Sequence, residues 1–229
     1  MLALVMVLMV LALPLFRSLA YQPFNIPSGA MMPTLLVRDF LFVSKYPYGY
    51  SRYSFPFSPP LFTFPGRVLG AAPERGDVVV FRLPRDDSVD YIKRVVGLPG
   101  DRIQMIDGQL HINGMAVKRE RAEDYVGSED GSPGTKRIKR WKETLPNGVS
   151  YYTLDLVENS FYDNTPVYTV PPDHYFMLGD NRDNSTDSRI LSQVGYIPSE
   201  YLVGRAAIIF FSIGEDGQGR WDRLFQRVR

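Results

Sequence analysis

The chain has 229 residues, with 26 basic and 25 acidic side chains, a formal net charge of +1 and no cysteine. This length is enough for one or two domains with a substantial core. The absence of cysteine excludes a disulfide, a thiolate nucleophile and a cysteine-ligated zinc, and the balanced charge gives no electrostatic case for nucleic acid as a partner. The one basic run, KRIKRWK at 136–142, lies in a polar segment and is interpreted as a solvated face.

The N-terminal segment MLALVMVLMVLALPLF is wholly apolar. As a helix its sixteen residues would span roughly 24 Å, short of a hydrocarbon core of about 30 Å. Arg17 lengthens the segment if its side chain reaches the interface. We interpret 1–20 as a membrane anchor rather than a cleaved signal peptide, since the sequence YQPFNIPSG that follows looks functional. No basic flank precedes it, which suggests that residues upstream of Met1 are missing and leaves the orientation undetermined by charge.

Beyond the anchor, the sequence predicts irregular chain and then mostly short strands. Residues 46–76 are crowded with proline and aromatic side chains, which favours either a hydrophobic flap or a surface lying in the bilayer interface. The runs DVVVF, DYIKRVVGL and LVGRAAIIFFSI are β-like, and RIQMI and QLHING are joined by Asp-Gly, a hairpin signal. Residues 118–165 are polar and indicate an insertion or a small β subdomain.

The stretch IPSGAMMPTL at 26–35 is typical of a rigid turn. Proline restricts Ile26-Pro27 and Met32-Pro33, Gly29 permits unusual backbone angles, and Ser28 offers a hydroxyl. Such a frame can hold a nucleophile and aim backbone N–H groups at an oxyanion. The residue it best presents, Ala30, carries only a methyl group.

The stretch DYIKRVVGLPGD at 90–101 places Lys93 between Ile92 and Arg94 in an alternating strand. If Lys93 faces the core, burial lowers the pKa of its amine. A lysine general base needs its pKa lowered by roughly two to three units from about 10.4. The alternative is a surface lysine on a half-exposed strand.

The stretch GDNRDNSTDSR at 179–189 has the acidic alternation of a calcium loop. Two positions depart from the calcium-loop pattern. Ser188 stands where the turn glycine should be, and Val194 stands where the bidentate glutamate should be. We therefore predict no metal site, and interpret the loop by its Asp–Arg pairs and Asx turns.

Taken in order, the apolar N-terminus, IPSGxMMPTL, RGDVVVF, DYIKRVVGLPGD and GDNRDNSTDSR closely resemble bacterial signal peptidase I. The resemblance covers most of 14–213, and the segment 40–66 resembles alphaproteobacterial members. It implies a mainly β catalytic domain over 21–229, of the signal peptidase and self-cleaving-repressor type. It also implies an inserted β subdomain at about 104–170 and one N-terminal transmembrane helix.

The resemblance implies a serine endopeptidase that removes signal peptides from exported preproteins after Ala-x-Ala-like sites. Its partners are preprotein signal peptides and the lipid bilayer, with no nucleic acid, and it uses no metal or cofactor. The family lies in the bacterial inner membrane with its catalytic domain on the periplasmic side. A self-cleaving repressor of the related Ser-Lys type is disfavoured by the apolar N-terminus.

Roles follow from the matched motifs. Lys93 matches the general base, Ser28 the oxyanion-hole serine, and Ser185 the serine that orients the lysine. The counterpart of the nucleophilic serine is Ala30. The remaining matches are the supporting charges Asp180, Asp187 and Arg189, and the walls of the substrate pockets Phe24, Ile26, Pro27, Met31, Leu35, Tyr91 and Ile92.

Two residues depart from the family pattern. Ala30 has no oxygen for Lys93 to deprotonate, so the chain is expected to be inactive or impaired. Three explanations compete: a native serine changed to alanine, a natural alanine with Ser28 or water as the substitute nucleophile, and a paralogue that binds signal peptides without cutting them. Arg38 stands where the family usually has glycine.

Overall fold

The structure is a computed structural model that describes residues 20–54, 66–128 and 134–229. The predicted anchor over 1–20 lies outside these residues except for its last position, and so does 55–65, the centre of the Pro- and aromatic-rich segment. In the three described ranges no helix is both long and apolar enough to cross a membrane.

The described residues form a mainly β structure, as the sequence predicts. The strands are β1 Tyr21–Asn25, β2 Asp39–Ser44, β3 Val78–Leu83, β4 Asp86–Gly97, β5 Arg102–Ile106, β6 Gln109–Ile112, β7 Met115–Ala116, β8 Lys118–Arg121, β9 Tyr125–Gly127, β10 Lys136–Thr144, β11 Ser150–Asp155, β12 Tyr168–Thr169, β13 His174–Leu178, β14 Ile197–Pro198 and β15 Leu202–Ser212. Short 3-10 turns cover Gly29–Met31, Tyr46–Tyr48, Arg52–Ser54, Ser199–Tyr201 and Trp221–Arg223.

The main sheet has seven antiparallel strands in the order β1-β2-β15-β3-β4-β13-β14. At β3 it is covered on both faces, because Val78 and Val80 join one buried cluster while Val79 and Phe81 join another. Consecutive strand residues point to opposite faces, so an unbroken apolar run indicates a strand buried on both sides.

Two smaller sheets follow from the middle of the chain. The second sheet has the order β11-β10-β8, with β9 also pairing to β10, and the third has the order β12-β5-β6-β7. The predicted hairpin forms between β5 and β6, and its turn residues Asp107 and Gly108 both have positive φ. Positive φ at both positions is what a tight two-residue hairpin turn requires. The basic run KRIKRWK lies in β10.

The flanks of the Pro- and aromatic-rich segment pack against the domain. Tyr48 and Tyr53 are buried, and the Arg67 side chain donates hydrogen bonds to backbone carbonyls that include those of Tyr48 and Leu202. These contacts support the interpretation as a hydrophobic flap for the described part of the segment.

The topology brings the three predicted motifs together. β13 pairs with β4, placing Leu178 opposite Arg94, so the loop 179–189 begins beside the strand that carries Lys93. The turn Gly29–Met31 lies against β4 as well.

Candidate active site

The turn at Ala30 is held by Asn181. The backbone N–H of Asn181 donates to the Ala30 carbonyl at 3.1 Å, and its side-chain amide donates to the Gly29 carbonyl at 3.1 Å. The Met32 N–H closes the turn on Gly29 at 3.1 Å. Asn181 lies inside the motif GDNRDNSTDSR but is not among the residues predicted for the site.

Ser28 lies directly before the turn. Its backbone is extended, with φ −132° and ψ 157°, and its exposed side chain makes no capping hydrogen bond. Residues 29–31 form a 3-10 turn, which rotates successive side chains by roughly 120°. Ser28 and Ala30 therefore do not lie in one extended segment.

Lys93 is buried, with 3% of its surface exposed. Burial disfavours the ammonium and lowers its pKa to about 8. The carboxylates of Asp187 and Asp180 oppose this change, while the Arg189 guanidinium adds to it. With a pKa near 8, about one amine in ten is neutral at pH 7, compared with about one in 2,500 for an unperturbed lysine.

Ser185 and the Ala30 carbonyl approach each other across Gly179. A Cβ atom at Gly179 would lie 2.1 Å from Ser185 Oγ and 2.6 Å from the Ala30 oxygen, so only glycine fits there. Ser185 is buried, and its hydroxyl has no hydrogen-bond partner in the part of the chain that the structure describes.

Two buried ion pairs support the loop. Arg189 donates to Asp187 through Nε at 2.8 Å and Nη2 at 2.9 Å. Burial alone would raise the pKa of Asp187, but the Arg189 guanidinium and the Gly179 N–H outweigh it, and the pKa is lowered. Arg94 donates to Asp180 through Nε at 2.8 Å and Nη2 at 2.6 Å.

The residues predicted to form the pocket walls differ in burial and lie in two apolar clusters. Met31 and Leu35 are fully buried, so they form the floor beneath the turn rather than accessible surface. Pro27 is exposed, and Tyr91 packs with Phe81 in a second cluster, with its ring 5.4 Å from Lys93 Nζ. One apolar cluster contains the other predicted wall residues together with this floor: Phe24, Ile26, Met31, Leu35 and Ile92.

Arg38 occupies a backbone conformation that favours glycine. Its φ is +66°, in the left-handed region. The Arg38 N–H donates to the Ile26 carbonyl at 2.9 Å, and its own carbonyl accepts from Ile213 at 3.1 Å, so the geometry is fixed on both sides. This accounts for the glycine expected at this position.

A cavity of about 960 Å³ opens elsewhere, among Tyr21, Phe42, Arg205 and Arg229. None of the predicted site residues lines this cavity. The candidate active site around Lys93 is therefore identified from its side chains and not from a large cavity. Within the described ranges no group of three or more His, Cys, Asp or Glu side chains is placed to hold a metal ion.

A buried lysine of lowered pKa beside a rigid turn is what a hydrolase with a lysine base requires. Comparison with protein families agrees, because the model of the family described as "Signal peptidase, peptidase S26" matches residues 1–211. The chain belongs to this family, a family of serine endopeptidases.

The similar proteins carry the same description. Signal peptidase I of Rickettsia typhi is 46% identical over 202 residues, covering 86% of this chain and 74% of that protein. Signal peptidase I of Rickettsia conorii is 46% identical over 204 residues, with the same coverage. A crystal structure of a signal peptidase I from Enterococcus faecalis is 28% identical, covers 59% of this chain and 97% of that chain, and has a TM-score of 0.36. The resemblance to signal peptidase I is confirmed.

Proposed function

We propose that this chain binds the cleavage region of exported preproteins in a signal peptidase site, and cuts it only poorly because residue 30 is alanine. The observation that carries the proposal is Lys93, which is buried and has a lowered pKa. It lies next to a turn in which alanine stands where the family has the nucleophilic serine. Preprotein signal peptides are thus the ligand class, and the apolar segment 1–20 is the proposed anchor in the bacterial inner membrane, with the domain on the periplasmic side.

With a serine at position 30, the reaction would use Lys93 as the base. The neutral amine would take the proton of the serine Oγ, which would attack the scissile carbonyl. The N–H of residue 30 and the Ser28 hydroxyl would stabilise the oxyanion. Lys93 would then donate its proton to the leaving amine and activate the water that hydrolyses the acyl-enzyme.

Substrate binding is proposed at the edge of the main sheet that β1 forms among the described strands. β1 is an outer strand of that sheet and leads directly into the turn at Ala30. An extended peptide can add to such an edge through main-chain hydrogen bonds. Small apolar pockets near Phe24 and Ile92 would then select small residues at −1 and −3.

Ser185 and the ion pair Asp187–Arg189 are proposed to set the position and charge of Lys93. The buried Ser185 hydroxyl makes no hydrogen bond in the described ranges, so it is available as a partner for the lysine amine. Asp187 and Arg189 act on the Lys93 pKa in opposite directions, so their placement tunes the base.

A non-catalytic binding role is the second candidate, and the methyl group of Ala30 favours it. Ser28, in the extended backbone directly before the turn, is the alternative nucleophile if cleavage does occur. Both candidates share the binding site and differ in whether any cleavage occurs.

The test is a preprotein carrying Ala-x-Ala, incubated with the purified chain and followed by both binding and cleavage. We expect a labelled peptide that spans the junction to bind, and a matched peptide with tryptophan at −1 to bind more weakly. Rapid cleavage at the junction would contradict the proposal, and its loss in Ser28→Ala would identify Ser28 as the nucleophile.

A further inference from the structure

The second sheet holds the first half of the loop 179–189. The Leu154 N–H donates to the Asp180 carbonyl at 2.9 Å, and the Arg182 N–H returns a bond to the Leu154 carbonyl at 3.1 Å. The N–H groups of Leu156 and Val157 both donate to Asp183 Oδ2, at 2.8 and 3.1 Å. The loop that carries Ser185 is therefore attached to β11 and the residues that follow it.

A buried ion pair strengthens this attachment. Arg182 Nη2 lies 2.5 Å from Glu143 Oε2, and the two side chains are 5% and 1% exposed. The Tyr151 hydroxyl donates to the same carboxylate oxygen at 2.9 Å. Buried ion pairs are weak stabilisers, because desolvating both charges offsets most of their attraction. A gain in folding stability therefore does not explain why Glu143 and Arg182 are paired here. A role in fixing the position of the loop 179–189 explains it better.

Contacts continue from Arg182 to the lysine. Arg189 Nη2 donates to the Arg182 carbonyl at 2.5 Å, and the same guanidinium holds Asp187. Asp187 in turn accepts from the Gly179 N–H at 3.1 Å. Arg189 and Asp187 are two of the three charges that act on the pKa of Lys93, and Asp180, at the start of the same loop, is the third. A displacement of Arg182 therefore moves the groups that surround the base.

We propose that Glu143 is a positioning residue, which fixes the loop 179–189 through Arg182 and thereby sets the surroundings of Lys93. This rests on the proposed function of Lys93 as the base. Glu143 lies on β10, 39 residues before Arg182 along the chain, and makes no contact with substrate in this role. The second sheet is then part of what assembles the site.

The test measures the titration of Lys93 by NMR of labelled lysine side chains in the full chain with Ala30. The variant Lys93→Met assigns the Lys93 signal. We expect the pKa of Lys93 to rise by about one unit or more in Glu143→Gln, because a loosened loop admits water and relieves the burial that lowers it. Glu120→Gln is the matched control, since Glu120 pairs with Lys118 on the exposed side of the same sheet, and it should leave the titration unchanged.

A double variant separates positioning from folding. Glu143→Met with Arg182→Met removes the pair without leaving an unpaired charge, and such replacements are often neutral or stabilising. We expect it to fold as stably as the parent and still to raise the pKa of Lys93. An unchanged Lys93 titration in this folded variant would overturn the proposal.

The same substitutions in an Ala30→Ser background give a second readout. We expect kcat to fall about tenfold at neutral pH, KM to change little, and the acidic limb of the pH profile to move to higher pH. An Ala30→Ser protein that cleaves nothing would contradict the proposed function, while the NMR titration would still decide the role of Glu143.

Discussion

The backbone N–H of Asn181 donates a hydrogen bond of 3.1 Å to the Ala30 carbonyl, which joins the turn of the proposed nucleophile position to the loop that carries Ser185. The Asn181 side chain adds a second bond, to Gly29, at 3.1 Å. Asn181 therefore holds two consecutive carbonyl groups of the turn against the loop 179–189. The placement of residue 30 relative to the loop that carries Ser185 depends on this contact.

Asn181→Ala removes the side-chain bond and leaves the Gly29 carbonyl with one partner fewer. We expect the free energy of unfolding to fall by about 1–3 kcal/mol, as for other buried hydrogen bonds left unmade. Urea unfolding measures this, with Asn25→Ala on the exposed edge strand as the control. Equal stability of the two variants would show that the side-chain bond does not hold the turn.

Gly179→Ala places a methyl group 2.1 Å from Ser185 Oγ and 2.6 Å from the Ala30 oxygen. The loop must shift, at a cost of about 1–3 kcal/mol typical of overpacking. Gly217→Ala is the control, because Gly217 has open space around it and only its φ of +79° is strained. Thermal unfolding should show the larger loss at position 179, and the reverse order would contradict the close approach.

Lys93 makes stability depend on pH in a defined window. Its pKa is about 8 in the folded chain and 10.5 without burial, so the unfolded chain binds more protons between these values and stability rises with pH across them. At about 1.4 kcal/mol for each pH unit, the total is about 3 kcal/mol. Lys93→Met should remove this rise and be more stable than the parent at pH 7, as measured by urea unfolding at pH 7 to 10. Parallel curves for the two proteins would contradict the lowered pKa.

Arg38→Gly should stabilise the chain by about 1 kcal/mol, because φ of +66° costs a residue with a Cβ roughly that much. The lost contact, a bond of 3.4 Å from Arg38 Nη1 to the Gly214 carbonyl, is long and contributes little. Arg38→Ala keeps the strained backbone and should gain nothing. A loss of stability in Arg38→Gly would show that the side chain, and not the backbone, decides this position.

The sequence predicted those features that depend on local pattern. Asp-Gly indicated the hairpin of β5 and β6, because tight turns are set by neighbouring residues. The alternation around Lys93 indicated a strand but left open whether the lysine faces the core or the surface, since the strand pattern does not tell which face is covered. The rigid turn at 26–35 was predicted but its 3-10 form was not, since the pattern IPSGAM does not distinguish an extended segment from a 3-10 turn. The pair Glu143–Arg182 joins residues far apart in sequence, and no local signal marks Glu143 among the charges of β10.

Cleavage of an Ala-x-Ala preprotein by Ala30→Ser tests most directly whether the missing hydroxyl at residue 30 limits this chain. The rate is compared with those of the parent chain and of Ala30→Gly. We expect the serine to raise the cleavage rate by on the order of 10³-fold or more, the glycine to leave it unchanged, and Lys93→Met to abolish the gain. A folded Ala30→Ser protein that binds the preprotein, keeps the Lys93 pKa near 8 and shows no cleavage would contradict the account.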